Sequence, residues 1–500
     1  MRAGVLIAVI AVSLLASACV SDGNDTTTTA ETPSTTVTAR PTTATSGEPI
    51  DLNAYPIPND TVCFYLANYV AVPADQVDDA EATLNAGGIT ATSVNADSVL
   101  EASTDPDEGV PDDIEQVSDL LSESLGFLEV VDDPLQVSMA LRALDFQASP
   151  INVIGFTIHI RFQPGTDPSP VAELELPDVS KVPLDGEFVA VVDSGIAPPE
   201  NRVSPDPHWF YGGDDFRNLF VLFDPVDEES VGVGNPASHG TFISGLIRQV
   251  APSKRVTFAA ARLVSTNAVI TQGEALPPGL TPTTEIHVAE AMARLMIRHA
   301  DDVENIKALN LSLGSYVCDP ATDTDLVTLN AVSKQWLGMF PASQIMAAAG
   351  NEDYQGPALG IAAGEYVPFY PAALAIPGIR GVAAVDRAGG EIVWVDKEPV
   401  SVTATRSWVD DGAPGADLVN LSGGATLNAD GEPIPELVCW SGSSFATAVA
   451  SAQYALGTPI TKDYNSVQGL TFAEANGSEI VTVGGSAFTP QTGCDHNAED

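Results

Sequence analysis

The chain has little positive charge. Only 20 Lys and Arg stand against 67 Asp and Glu, a formal net of −47 and a sequence pI near 4.1. That balance repels phosphate backbones and anionic headgroups, which excludes a nucleic-acid partner unless a separate basic patch exists, and none is visible. Cysteine is also scarce. Cys19, Cys63, Cys318, Cys439 and Cys494 include no C-x-x-C pair, which removes zinc-ribbon and thioredoxin-type chemistry. No apolar run reaches the ~20 residues of a transmembrane helix, and no internal repeat is visible. What is plentiful is apolar residue, at 44%, with 41 Gly and 37 Pro. Such a chain buries a large core and makes many turns. At about 150 residues per domain, its length predicts roughly three folding units.

The N-terminus reads as an export signal. Arg2 precedes an apolar run from Val5 to Leu15, then Ala16-Ser17-Ala18-Cys19. A-x-A suits ordinary signal-peptidase cleavage, whereas the following Cys19 resembles a bacterial lipoprotein lipobox, with Ala16 where Leu is usual. We read residues 1–18 as signal peptide and Cys19 as the lipidated residue of a surface protein anchored to the membrane, with free secretion the alternative. Residues 19–50 are Thr-rich and lack apolar periodicity, which predicts a disordered tether with a mean reach of about 30 Å. Cys63, Cys318, Cys439 and Cys494 then suit two disulfides in an oxidising compartment, with the pairing open and buried free thiols as the other reading.

Residues 51–165 read as a small acidic α+β domain. Between 51 and 180 there are 24 Asp and Glu against Arg142 and Arg161. Val77, Ala80 and Leu84 recur at helical spacing, as do Ile114, Val117, Leu121 and Leu125. Asp133-Pro134 is a helix start leading into Leu135–Leu144. Ile154, Phe156, Ile158, Ile160 and Phe162 alternate as a half-buried strand does. Residues 166–185 form a Pro- and Asp-rich connector. From 186 to 457 short apolar runs (Phe188–Val192, Val256–Ala261, Ala308–Leu313, Ile345–Ala349, Gly381–Val385) interleave with helical stretches. That texture predicts an α/β fold with a parallel sheet covered on both faces. Residues 458–500 form a polar tail or extension with a short apolar piece at Ile480–Val483.

Three local patterns in the α/β unit carry chemistry. Val189-Ala190-Val191-Val192-Asp193-Ser194-Gly195-Ile196 places a carboxylate at the carboxyl end of a buried strand, the edge where active sites of open α/β sheets lie. Ser238-His239-Gly240-Thr241 opens an amphipathic segment, so His239 falls at a helix start. Gly442-Ser443-Ser444-Phe445-Ala446-Thr447 introduces an Ala-rich helix. Each has a bland reading alone: a turn carboxylate, an incidental histidine, an N-cap serine.

Together, the order Asp, His, Ser at spacings of 46 and 205 residues resembles the subtilisin-like serine peptidases (subtilases). That family's motifs are D-S/T-G after an apolar strand, then H-G-T, then G-T-S-M-A. Ile345-Met346-Ala347-Ala348-Ala349-Gly350-Asn351 is similar to the segment bearing the family's oxyanion asparagine, and Leu309-Asn310-Leu311-Ser312-Leu313-Gly314 to its substrate-binding strand. The resemblance implies a subtilase-type parallel sheet and peptide-bond hydrolysis. It assigns Asp193, His239 and Ser444 as the catalytic triad and Asn351 as oxyanion donor. Ser312, Leu313, Gly314, Ala348, Ala349 and Gly350 become substrate-binding residues, and the partner is a protein or peptide substrate. It implies no required cofactor and admits calcium as a structural ion, for which Asp319, Asp323 and Asp325 form one acidic cluster without EF-hand spacing. It also makes residues 51–165 a candidate propeptide, a permanent recognition domain being the other reading.

The departures are Phe242, where the family has a second His, Ser443 for Thr, Phe445 for Met and Ala448 for Pro. None removes a reacting group. Glu352 and Asp353 follow Asn351 and read either as a solvated loop or as a preference for basic P1 side chains. One rival function is an idle subtilase-fold module that binds peptides or a basic partner. Another is the related acid peptidases whose serine pairs with Glu and Asp, which the H-G-T context of His239 disfavours. The acidity itself fits either a salt-adapted surface or an N-terminal domain that engages a basic partner.

Overall fold

The computed structural model describes residues 49–57, 63–104, 113–154, 169–170, 179, 182–196, 236–264, 268–272, 283–315, 326–350, 368–385, 407–421, 437–473 and 480–482. Among the positions singled out on sequence grounds, Cys19, Asn351, Glu352, Asp353, the Asp319/Asp323/Asp325 cluster, Cys318, Cys494 and the strand positions from Phe156 to Phe162 lie outside these residues.

The N-terminal region runs β1 (Cys63–Pro73), α1 (Val77–Ala86), β2 (Ala91–Val94), α2 (Ala96–Ser103), α3 (Ile114–Ser122), β3 (Leu125–Val130), α4 (Pro134–Ala143) and β4 (Ser149–Ile154). Its strands form an antiparallel sheet in the order β2-β3-β1-β4. Val77, Ala80 and Leu84 fall within α1, and Ile114, Val117 and Leu121 within α3, as their spacing predicts, whereas Leu125 begins β3. The helix start at Asp133-Pro134 has a direct cause. The Asp133 carboxylate accepts from Leu135 N at 2.9 Å and Gln136 N at 3.3 Å, and Pro134 occupies the first turn, where its missing N–H costs nothing.

The short strand β5 (Ser169–Pro170) precedes β6 (Phe188–Asp193), α5 (Pro236–Val250), β7 (Arg255–Ala260), β8 (Val269–Gln272), β9 (Thr283–Thr284), α6 (Glu285–Arg298), β10 (Ile306–Leu311), α7 (Val327–Met339), β11 (Gln344–Ala348), β12 (Ile379–Val385) and β13 (Asp411–Pro414). Six of these strands make a parallel sheet in the order β13-β12-β11-β10-β6-β7. β6 is buried along its whole length, so it reads as a continuous apolar run. Its residues alternate between two cores. Val189 and Val191 pack on the side of α5, and Ala190 and Val192 on the side of α6 and α7.

The remaining elements are β14 (Leu418–Leu421), β15 (Leu437–Trp440), α8 (Ser443–Ala455), β16 (Thr471–Ala473) and β17 (Ile480–Thr482). The last four strands join β5 in an antiparallel sheet ordered β17-β16-β14-β15-β5. Leu418 pairs with Phe472, so chain beyond Gly457 contributes strands to this part of the fold. Cys439, in β15, is disulfide-bonded.

The line drawn at residue 165 separates segments that the structure joins. β8 pairs with β1, Val269 opposite Leu66, and β9 pairs with β4, Val153 opposite Thr284. One hydrophobic core holds Leu100, Val117, Phe127 and Ile151 together with Ile286, Met292, Leu329 and Trp336. The physical reason is α6: 12 of its 14 residues are buried, so it has sheet on one side and the N-terminal helices on the other. No described helix is long and apolar enough to cross a membrane.

Candidate active site

Asp193 ends β6, at the carboxyl edge of the sheet. Its Oδ1 accepts from Ser194 N at 2.8 Å, from Ser194 Oγ at 3.1 Å and from His239 Nδ1 at 2.8 Å. Both the carboxylate and the imidazole are fully buried. A carboxylate on Nδ1 fixes the tautomer that leaves Nε2 as the basic nitrogen.

His239 sits in the first turn of α5, the place its sequence context predicts. Gly240 makes that placement sterically possible: a Cβ there would run into the Gly195 carbonyl oxygen and the Phe258 ring. α5 therefore approaches the Asp193 loop closely only because residue 240 has no side chain.

Ser444 occupies the second position of α8, after Gly442 as N-cap. At a helix start its backbone N–H has no intrahelical acceptor and faces outward with the positive end of the helix dipole. α8 packs against α5 and lies across β10, β11 and β12. Phe445, next to Ser444, touches the His239 ring at a centroid distance of 5.6 Å. The structure thus gathers Asp193, His239 and the Ser444 region in one place.

Ser444 Oγ donates to the Ser312 carbonyl at 3.0 Å, while Ser312 Oγ donates to the Ser444 carbonyl at 2.7 Å. Asn310 Nδ2 donates to Ser312 Oγ at 2.9 Å, and Ser451 Oγ donates to Asn310 Oδ1 at 3.1 Å. This buried chain ties the start of α8 to the end of β10. Ser312 consequently braces the serine. Asn310 is given no role by the motifs, although a buried amide inside the apolar run Ala308–Leu313 is the kind of polar interruption that marks a network.

Leu313 and Gly314 follow β10. Gly314 lies against Phe369 and Tyr370 so closely that a Cβ would collide with both. Ser315 exchanges two backbone hydrogen bonds with Tyr370, at 2.9 and 3.0 Å. Ala348 ends β11, and Ala349 N donates to Val382 O at 3.0 Å while its carbonyl accepts from Trp408 Nε1 at 3.2 Å. Gly350, at φ +95°, turns the chain immediately before residue 351. All six residues expected to bind substrate therefore lie at the carboxyl ends of β10 and β11, on the same sheet edge as Asp193. Among the described residues no group of three or more His, Cys, Asp or Glu is placed to hold a metal ion.

A second set of buried ionisable groups lies on and beside α6. Burial pushes the Glu285 carboxyl up to about 8, although Asn152 Nδ2 donates to it at 2.7 Å. Burial likewise pushes His287 down to about 3, helped by the Arg262 charge. The neutral imidazole is explained by its neighbours. The Ser103 and Thr104 hydroxyls donate to backbone carbonyls, which leaves Thr104 Oγ1 to accept from Nε2 at 3.2 Å, while Thr284 Oγ1 donates to Nδ1 at 2.9 Å. Glu290 bridges Arg262 and Arg294 at 2.9 and 2.7 Å, and Arg294 reaches Asp113 at 3.1 Å. The sequence does not reveal these residues as a group, because pairs such as Arg262–Glu290 and Ser103–His287 lie 28 and 184 positions apart.

Residues 185–474 match the model of the subtilase family, peptidase S8. No curated protein matches the chain. Among solved structures, a cold-adapted subtilisin-like serine proteinase is 18% identical, over 56% of this chain and 83% of its own, at a TM-score of 0.30. The epidermin leader peptide processing serine protease of Staphylococcus aureus is 14% identical, over 78% and 88%, at 0.40. MycP1 of the ESX-1 type VII secretion system is 20% identical, over 59% and 78%, at 0.32. With the family model spanning more than half of its length, the chain belongs to the subtilase family of serine peptidases.

Proposed function

We propose that the protein is an exported serine endopeptidase that cleaves peptide bonds with Ser444, His239 and Asp193. Ser444 Oγ turns from the Ser312 carbonyl toward His239 and attacks the scissile carbonyl while Nε2 takes its proton. Asp193 holds the tautomer and stabilises the imidazolium, which then protonates the leaving amine. The Ser444 N–H and the Asn351 side chain receive the oxyanion. Losing one such donor costs about 2.7–4 kcal/mol, a magnitude established on a subtilisin itself. Water then releases the acyl group by the reverse sequence. No metal or cofactor is required by this scheme, and calcium enters only as a structural ion.

The observation that carries the reading is the buried 2.8 Å contact between Asp193 and His239, on a helix packed against the one that begins at Ser443. Export, lipidation of Cys19 and anchoring at the cell surface rest on the sequence of residues 1–50. The N-terminal region belongs to the same reading as a folding partner seated on α6 and α7. Its removal by Ser444 would make it a propeptide; its retention would make it a permanent domain.

A second reading, a peptide-binding module without turnover, draws on the Ser444 hydroxyl being engaged by Ser312. Incubation with a denatured protein and mass analysis of the fragments separates the two. Fragments from the wild type and none from Ser444→Ala support the peptidase. Substrate bound but intact with both proteins supports the module.

A further inference from the structure

Two departures from the family pattern, Phe242 and Phe445, meet at one point. Phe242 stands three residues after His239, on the same side of α5. Phe445 follows Ser444 on α8. Their rings lie 4.7 Å apart at 60°. Trp440, the last residue of β15, completes a triangle, 5.6 Å from Phe242 and 5.0 Å from Phe445. All three are at most 3% exposed. Each comes from an element that carries or adjoins a triad residue, so the wedge sets the spacing of α5 and α8.

The His239 ring rests on this wedge. Trp440 stands perpendicular to it, at 5.7 Å and 88°, and Phe445 lies tilted at 5.6 Å and 48°. The hydrogen bond from Nδ1 to Asp193 fixes one corner of the imidazole. Two aromatic walls at different inclinations bound the rest of the ring, and edge-to-face contacts of this spacing are attractive in their own right.

We propose that Trp440 is a positioning residue that, with Phe242 and Phe445 behind it, fixes the plane of the His239 imidazole so that Nε2 stays aimed at Ser444. The proposal rests on the reading of His239 as the general base. It assigns Trp440 no contact with the reacting atoms. A small displacement of a catalytic group is enough to cost up to about a hundredfold in rate. The loss of one wall of two should cost less.

The test compares Trp440→Leu with Trp440→Phe in the full chain. Expected for Leu is a fall in kcat of about tenfold with KM within about twofold, because the ring acts on the chemical step and not on substrate binding. Phe, which keeps a ring in the same place, should recover most of the loss. Proton NMR supplies a readout independent of turnover. In a Ser444→Ala background the low-field resonance of the His239 Nδ1 proton should be sharp, broadened in the Leu variant and sharp again in the Phe variant. If Leu unfolds the protein, Trp440→Met fills much of the volume without a ring and takes its place.

An unchanged resonance in the Leu or Met variant overturns the proposal. So does equal broadening by Leu and Phe, since an aromatic wall would then not be what matters. Should a folded wild type whose N-terminal region has been removed fail to react with a fluorophosphonate while the resonance still follows the Leu and Phe pattern, the peptidase reading fails and the positioning role stands.

Discussion

The two faces of the central parallel sheet are built from alternate residues of the same strands and use polar groups differently. On one face Val189, Val191, Ala308 and Met346 meet α5 and α8, and the buried polar groups there include Asp193, His239, Ser444 and the Asn310–Ser312 chain. On the other, Ala190, Val192, Leu309 and Ile345 meet α6 and α7, and the buried polar groups include Glu285, His287, Glu290, Arg262 and Arg294. The first set converges on one serine. The second set reaches outward, to Asn152, Thr104 and Asp113 of the N-terminal region. Buried ion pairs add little net stability over well-packed apolar side chains, yet each needs its partner in place. The second face is therefore matched to the segment that covers it, and the first carries the groups of the proposed reaction.

The difference can be broken most sharply at Asp193. Asp193→Asn should lower kcat by about 10⁴-fold through loss of the correct His239 tautomer, with the melting temperature little changed. Steady-state kinetics beside calorimetry checks both halves. The converse perturbation is Trp336→Ala on the α7 side. Trp336 is fully buried against Phe340, so truncation should cost about 3–5 kcal/mol of stability. Its kcat, measured well below the melting temperature, should stay near the wild-type value.

The α6 face also predicts a pH dependence of its own. Glu285 has a folded value raised to about 8 from an ordinary 4.5, so its contribution is full below 4.5 and is lost as pH rises toward 8. His287 is depressed from 6.5 to about 3, so its contribution is full above 6.5 and is lost as pH falls toward 3. The two slopes oppose each other between 4.5 and 6.5, which gives a plateau there and a fall on either side. Glu285→Gln keeps the shape and the Asn152 contact without the charge. It should flatten the alkaline fall in melting temperature between pH 6.5 and 8 and leave the acid side alone. A variant with the wild-type alkaline slope would remove Glu285 from this account. The smallest effect belongs to Asp113→Asn. The pair with Arg294 has a carboxylate 39% exposed, and breaking it should cost no more than about 1 kcal/mol by denaturant titration.

The legible part of the molecule is the part whose signals are local. Strand β6 shows itself as five apolar residues running into Asp193, because a strand buried on both faces must be apolar throughout. His239 and Ser444 show themselves by small neighbours, Gly240 and Gly442, where a helix must start close to other backbone. The seating of the N-terminal region has no such signal. Residues 285–298 are largely apolar, which suits a buried helix, but only the structure shows that the N-terminal region covers Glu285, His287 and Glu290. Strands β8 and β9 escape notice for a related reason. Each has four residues or fewer and gains its identity only from pairing with β1 and β4. The Phe242–Trp440–Phe445 wedge lies between these cases. Its two phenylalanines stand out as departures from a pattern, but their contact joins positions about two hundred residues apart, which no local signal carries.

The proposed function requires an activated serine on this face of the sheet. Intact-mass analysis of the soluble chain from Gly47 onward, after exposure to a fluorophosphonate, tests it without any knowledge of the substrate. A single adduct on the wild type, absent from Ser444→Ala, is the predicted result. A folded wild type that stays unmodified, with its N-terminal region already removed so that the site is open, would contradict it.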